Sequence, residues 1–253
     1  KKLFPDEEGT VTLSCSSFDG SHTLAPVTRQ IAKGDKDVPL DVTLDMGDGM
    51  LLWDEFSPNL YCLKVEVKTD NRTTTRETVF GMRKVEIKDK MLYINGREVQ
   101  LRGTVENCDF PLTGYAPTDL DSWLKVFRRC KAYGLNHMRF HSYCPPEAAF
   151  LAADMVGFYI QPEGPSWPNH GVKLGVGQPI DEYLWNEAVD ICNTYGNHPS
   201  FTMFCFGNEP AGNWVQWATE HTQKIKEIDP RRVYGGFSVG GGWAWQPGSE
   251  YQV

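Results

Sequence analysis

The sequence predicts a multidomain protein of the β plus α/β class, with an immunoglobulin-like β-sandwich followed by an incomplete (β/α)8 TIM barrel. Residues 1–84 contain short runs of alternating apolar and polar residues and no helical period longer than one turn. From residue 85 onward, strand-like and helix-like segments alternate regularly. We therefore predict two domains, an immunoglobulin-like sandwich at 1–84 and the N-terminal part of a TIM barrel at 85–253.

Length, charge and cysteine content exclude several classes of protein. The chain has 253 residues, of which 40% are hydrophobic, enough to form the core of one large or two ordinary domains. Its formal net charge of -8 repels phosphate backbones and anionic lipids, so we expect no nucleic-acid partner and no membrane partner. The seven cysteines are odd in number and form no C-x-x-C pair, which favours free thiols over a disulfide framework or a zinc site.

Short strands account for the first predicted domain. Strands are expected at 10–13, 38–44 and 60–67, and the last of these alternates apolar and polar side chains as a half-buried antiparallel strand does. A turn at 69–72 leads into a further strand at 75–80. This number of strands is low for a complete sandwich, so one or two further strands are expected upstream of this sequence.

Successive βα units account for the second predicted domain. Helices are expected at 118–133, with Thr118 as N-cap, and at 146–156, 181–195 and 213–228; strands are expected at 99–104, 135–140, 157–161, 200–206 and 232–237. No G-x-G-x-x-G follows the first strand, which weakens the alternative of a doubly wound dinucleotide-binding sheet. Polar residues follow the strands directly, as they do at the C-terminal mouth of a barrel. A whole barrel takes about 250 residues, so we expect this one to continue past Val253.

The dipeptide Asn208-Glu209 directly follows the most apolar predicted strand. A carboxylate at the rim of a barrel is partly withdrawn from water, which suits it to proton donation. The neighbouring amide can hydrogen-bond a substrate hydroxyl. On these two residues alone, a helix cap at Glu209 and a turn at Asn208 fit equally well.

Longer motifs around this dipeptide resemble glycoside hydrolase family 2, the family of β-galactosidases, β-glucuronidases and β-mannosidases. The run from Asn197-His198-Pro199-Ser200 to Gly207-Asn208-Glu209 is similar to the acid/base signature of that family. Asn95-Gly96 with Leu101-Arg102-Gly103 resembles the opening barrel strand of the family. The stretch 119–139 resembles its first helix and second strand. Phe56 to Tyr61, with Phe80 to Arg83, resembles the end of its immunoglobulin-like domain. The resemblance covers about residues 40–240.

The resemblance implies a retaining exo-glycosidase that hydrolyses terminal β-linked sugars, with β-galactosides as the first expectation and β-glucuronides or β-mannosides as alternatives. Glu209 matches the general acid/base of the family, and Asn208 matches the residue that holds the sugar 2-hydroxyl. The nucleophile of the family is a second glutamate after the seventh barrel strand, beyond the five strands expected here. Retention requires the two carboxyl groups to lie roughly 5–5.5 Å apart. We therefore expect this chain alone to be inactive.

Several other residues match the family less closely and are expected to bind substrate. Arg139 stands where the family has an arginine near the nucleophile, with a salt bridge inside the barrel as the alternative. His141 is shifted from the usual position of a family histidine, and Glu163 either lines the pocket, orients Glu209 or forms a structural ion pair. The remaining candidates lie on loops beyond strand ends: Asp109, and the tryptophans Trp167, Trp243 and Trp245, whose rings can stack on a sugar.

No cofactor is expected. Some β-galactosidases of the family hold magnesium through an acidic-x-His pattern, and Glu163-Gly164-Pro165 breaks it, so no metal site is carried over. A non-catalytic carbohydrate-binding or interaction module is the alternative of another class, against which the retained Asn208-Glu209 argues. The expected partner is a carbohydrate. Homo-oligomerisation stays open, because a truncated barrel exposes strand edges, and so does localisation, with a periplasmic or secreted bacterial protein as one option.

Overall fold

The computed structural model describes residues 8–32, 41–168, 171–239 and 246–251. Contacts divide the chain into two compact units, Lys1–Leu52 with Asn59–Met82, and Trp53–Pro58 with Arg83–Val253. Within the described ranges, no helix is long and apolar enough to cross a membrane. The predicted domain boundary near residue 84 stays a prediction.

One antiparallel sheet forms the centre of the first unit. Its strands are β1 (Gly9–Ser17), β2 (Val27–Ile31), β3 (Tyr61–Thr69) and β4 (Thr73–Phe80), in the order β2-β1-β3-β4. Val11 and Val67 face each other across β1 and β3 and are both buried. β2 was not predicted. Of the strand predicted at 38–44, residues 38–40 lie outside the described residues and residues 41–44 are not in a strand.

A small antiparallel sheet, which the sequence pattern did not predict, opens the second unit. It contains β5 (Val85–Lys88), β6 (Met91–Ile94) and β7 (Arg97–Glu98). The turn between β5 and β6 places both Asp89 and Lys90 in the left-handed region, at φ 50° and 65°. Aspartate is a usual residue at the first of these positions, but the second is usually glycine, so Lys90 gives no signal for such a turn.

Parallel strands with intervening helices make up the rest of the second unit. In chain order they are β8 (Gly103–Glu106), α1 (Leu120–Ala132), β9 (His137–Phe140), α2 (Glu147–Val156), β10 (Tyr159–Gln161), β11 (Lys173–Leu174), α3 (Pro179–Tyr195), β12 (Met203–Phe204), β13 (Ala211–Gly212), α4 (Trp214–Ile228) and β14 (Val233–Tyr234). β8, β9 and β10 pair in parallel, single bridges connect β10 and the residues after it to the segment around β12, and β12 pairs in parallel with β14. This is the wall of a barrel in sequential order, and the described strands do not close it.

The helices cover this wall with their apolar faces. α1 buries Trp123, Leu124 and Phe127, and its N-cap is Asp119, which accepts the backbone N–H of Ser122 at 2.8 Å. The predicted N-cap at Thr118 was wrong by one residue. Burying an aromatic or aliphatic side chain of this size contributes roughly 1.5–3 kcal/mol, so packing against the wall, rather than helix propensity, fixes the helices.

His137, on β9, makes the stability of the second unit sensitive to acid. Burial, and then the positive charge of Arg139, lower the pKa of His137 to about 4. An unfolded histidine titrates near 6.5, so between these values only the unfolded chain takes up the proton and stability falls as the pH falls. We expect a loss of about 3 kcal/mol between pH 7 and pH 4 from this side chain, measured by urea unfolding.

The variant His137→Leu isolates this contribution from the carboxyl groups that titrate in the same range. The difference in unfolding free energy between the variant and the original chain should change with pH over this window and stay constant above about pH 7.5. A difference that does not change with pH would contradict the assignment.

Candidate active site

Polar side chains at the ends of the parallel strands form one hydrogen-bonded network. Arg139, in β9, lies at its centre. Its Nε donates to Oε1 of Glu163 at 2.6 Å, and its Nη2 donates to Oδ1 of Asn208 at 2.7 Å. The guanidinium therefore joins the residues that follow β10 and β12. The predicted candidates Arg139, Glu163 and Asn208 are thus brought together.

Glu163 is fully buried, and both of its carboxylate oxygens are hydrogen-bonded. Oε2 accepts the backbone N–H of Ser142 at 2.8 Å, and Oε1 accepts from the Cys205 thiol at 3.3 Å and from the Ser238 hydroxyl. Burial, and then the charge of Glu163, raise the pKa of the Cys205 thiol, so the thiol stays protonated and can donate. A buried carboxylate without such partners costs several kcal/mol.

Asn208 is buried, and Arg139 fixes the orientation of its amide. Because Oδ1 accepts from the guanidinium, the amide nitrogen Nδ2 is the group left to donate to a ligand. The backbone N–H of Asn208 donates to the carbonyl of Ser166 at 2.7 Å. The side chain is therefore held by Arg139 of β9, and the backbone of Asn208 is held by Ser166 in the loop after β10.

Glu209 is half-buried and lies on unusual backbone. Its φ is 41°, in the left-handed region that non-glycine residues seldom adopt, and its backbone N–H donates to the carbonyl of Ser238 at 3.0 Å. The preceding Gly207 has a φ of 146°, and a Cβ there would lie 2.3 Å from the carbonyl oxygen of Ser166. Only glycine allows this close approach, so Gly207 determines the backbone path that places Glu209 at the ends of the parallel strands.

Trp167 and His141 connect Glu209 to the rest of the network. The indole Nε1 of Trp167 donates to Oε2 of Glu209 at 2.8 Å. The His141 ring contacts the Trp167 ring edge-on at a centroid distance of 4.7 Å, and its Nδ1 lies 2.9 Å from Oγ of Ser142. Trp167 was expected only to stack on a sugar, and its hydrogen bond to Glu209 was not predicted.

The last residue of β8, Glu106, and the loop residue Asp109 are acidic and lie in different environments. Burial raises the pKa of the half-buried Glu106 carboxyl, which accepts the backbone N–H of Cys108 at 3.1 Å. Asp109, the predicted candidate, is exposed. Within the described part of the chain, no hydrogen bond joins its side chain to the network around Arg139. Glu106 is linked through its carbonyl, which accepts the backbone N–H of His141 at 2.9 Å.

Two predicted sugar-binding residues, Trp243 and Trp245, lie outside the described residues. In ranges 8–32, 41–168, 171–239 and 246–251, no group of three or more His, Cys, Asp or Glu residues is arranged to hold a metal ion.

Comparison with known proteins gives matches to both parts of the chain. A family model described as glycosyl hydrolases family 2, TIM barrel domain, matches residues 85–236, and a model described as glycosyl hydrolases family 2 matches residues 5–83. A β-galactosidase large subunit of Lactobacillus acidophilus is 28% identical over 247 residues, which is 89% of this chain and 37% of that protein. A β-galactosidase of Thermoanaerobacterium thermosulfurigenes is 28% identical over 190 residues, 73% of this chain and 25% of that protein.

The solved structures agree on the fold. The crystal structure of Parabacteroides merdae β-glucuronidase with glycerol in its active site superposes with a TM-score of 0.74 at 24% identity, covering 92% of this chain and 30% of that chain. The chain thus spans 25% to 37% of the length of these three relatives. The family model of the barrel domain alone covers more than half of the chain. The resemblance found in the sequence is confirmed, and the chain belongs to glycosyl hydrolase family 2.

Proposed function

We propose that this chain forms part of a retaining exo-glycosidase that hydrolyses terminal β-linked sugars, with Glu209 as its general acid/base. The observation that carries the proposal is the placement of Glu209 beside Asn208, after a buried strand, with the amide held by Arg139, which Glu163 holds in turn. Membership of the family supports a two-carboxylate mechanism. We also propose the division into an immunoglobulin-like sandwich at 1–84 and the first part of a TIM barrel at 85–253, which the division of contacts between Met82 and Arg83 supports, although Trp53–Pro58 groups with the second unit.

In the first step, Glu209 gives its proton to the glycosidic oxygen while the bond between that oxygen and the anomeric carbon breaks. A second carboxylate attacks the anomeric carbon from the opposite face and forms a glycosyl-enzyme. In the second step, Glu209 takes a proton from water, the water oxygen bonds to the anomeric carbon, and the nucleophile leaves as a carboxylate. Two inversions give retention.

The residues around Glu209 have distinct proposed roles. Asn208 donates from Nδ2 to the sugar 2-hydroxyl, and Arg139 fixes that amide and supplies positive charge near the attacking carboxylate. Glu163 is fully buried, so we propose that it orients Arg139 and does not touch the sugar. His141, Asp109, Trp243 and Trp245 are proposed to contact the sugar or its leaving group.

We propose that the nucleophile is a glutamate outside the sequence described here, and that the 253-residue chain alone does not turn over substrate. The chain covers only 25% and 37% of the length of the two β-galactosidase relatives, which supports the proposal that the nucleophile lies elsewhere in a longer protein. Nitrophenyl β-glycosides should be hydrolysed by a longer protein that contains this sequence and not by the chain itself. A chain with rates close to those of the longer protein would contradict the missing nucleophile and leave the family assignment intact.

β-Galactosides are the proposed substrates, supported by the two β-galactosidase relatives, with β-glucuronides and β-mannosides as the alternatives. The longer protein should be assayed with the three nitrophenyl β-glycosides, and the anomer released first should be identified by proton NMR. A β-anomer as the first product supports retention, and an α-anomer excludes it. Sugar binding without turnover of any of the three would favour the alternative of a non-catalytic carbohydrate-binding module.

A further inference from the structure

The indole of Trp167 makes a directional contact with the carboxyl group of Glu209. Nε1 lies 2.8 Å from Oε2. An indole nitrogen only donates, so Oε2 must act as the acceptor in this bond. When a carboxyl group is protonated, its carbonyl oxygen is a much better acceptor than its hydroxyl oxygen. The contact therefore distinguishes the two oxygens of Glu209 in the acid form as well as in the carboxylate form.

Trp167 is held in this position although the residue is 55% exposed. The edge of the indole packs against His141, and Nδ1 of that histidine lies 2.9 Å from Oγ of Ser142. The backbone N–H of Ser142 in turn donates to the buried Glu163 at 2.8 Å. A continuous series of contacts thus ties the exposed indole to the most buried charge of the network, so the ring has a defined orientation.

We propose that Trp167 is a positioning residue that occupies Oε2 of Glu209 and so leaves Oε1 as the oxygen that carries the acid proton to the leaving group. The inference rests on the proposed role of Glu209. Without the indole, the carboxyl group can rotate and its proton can reside on either oxygen, only one of which faces the glycosidic oxygen. Loss of the indole therefore lowers the rate of the first step, in which Glu209 gives its proton to the leaving group.

Leaving-group dependence tests this step in the longer protein. In Trp167→Phe, which keeps an aromatic ring and removes the donor, we expect kcat/KM for a phenyl β-glycoside to fall about tenfold, the effect of one hydrogen bond. For the 2,4-dinitrophenyl glycoside, whose leaving group departs without a proton, the change should stay below about twofold. The matched control Trp185→Phe, on α3, should change neither value. Equal losses on both substrates would overturn the proposal, because they indicate a structural role.

Spectroscopy on the 253-residue chain provides a test that does not depend on turnover. With 15N-labelled tryptophan, the indole N–H resonance of Trp167, identified by its absence in Trp167→Phe, should shift as Glu209 ionises. This titration should vanish in Glu209→Gln. A Trp167 resonance that is independent of pH, or that titrates equally in Glu209→Gln, would overturn the proposal. If Glu209→Gln also abolishes turnover in the longer protein, that resonance result would overturn only the role of Trp167. The proposed function of Glu209 would stand, so the two failures can be distinguished.

Discussion

Glu209→Gln, made in the longer protein, is expected to lower kcat/KM for a phenyl β-glycoside by roughly 10²–10⁴-fold, the usual contribution of a general acid. Glutamine has nearly the same shape and can still accept the indole N–H of Trp167, so the site should be preserved. What is lost is the proton. The measurement is steady-state hydrolysis of phenyl and 2,4-dinitrophenyl glycosides at one pH.

The pattern of rescue distinguishes loss of an acid from loss of fold. kcat/KM for the 2,4-dinitrophenyl substrate should fall far less than for the phenyl substrate. Azide should raise kcat for the 2,4-dinitrophenyl substrate, because its glycosyl-enzyme accumulates and azide attacks it without needing a base. The matched control Glu227→Gln, exposed on α4, should behave like the unchanged protein. Equal losses on both substrates with no effect of azide would count against Glu209 as the acid/base.

Arg139→Met should destabilise the second unit by about 3–5 kcal/mol, the cost of leaving a buried charge without its partner. Arg139 is 11% exposed and Glu163 is fully buried, and their closest atoms lie 2.6 Å apart. Methionine keeps most of the aliphatic volume, so the charge and its hydrogen bonds are the main change. Urea unfolding of the 253-residue chain, followed by tryptophan fluorescence, measures the loss.

A double variant separates two contributions to the loss of unfolding free energy: the unpaired buried charge and the lost packing. Arg139→Met combined with Glu163→Met should be less destabilised than the sum of the two single variants, because neither charge is then buried alone. Arg128→Met, at an exposed position on α1, should change the unfolding free energy by no more than about 0.5 kcal/mol. Strict additivity in the double variant would mean that the two side chains are not coupled.

Much of the barrel part could be predicted from the sequence because its helices pack one face against the strands. The apolar period in 118–133 and 213–228 agrees with α1 (Leu120–Ala132) and α4 (Trp214–Ile228) within about two residues at each end. The strands are shorter than predicted, because the apolar residues of a buried parallel strand extend beyond the residues that pair in the sheet. For example, the strand predicted at 200–206 contains β12 at only Met203–Phe204.

The contacts of the site could be predicted only in part. Arg139 lies near the end of its strand, and Glu163 and Asn208 follow strands, where a barrel collects its polar residues. Their partner Ser238 is separated from Glu163 by 75 positions in the sequence, and a serine after a strand carries no local signal of a role. The Trp167 bond to Glu209 spans 42 positions and depends on the path of the loop after β10, which no short-range pattern encodes.

The left-handed backbone at Ser142 and Glu209, with φ of 61° and 41°, bears on how these positions evolve. Stability alone favours glycine or asparagine there, since other residues pay roughly 1 kcal/mol or more for such a conformation. A lineage released from selection for turnover should drift toward those residues at position 209 sooner than at ordinary surface sites. Persistence of a carboxylate on that backbone across descendants would accordingly mark the lineages in which hydrolysis is still under selection.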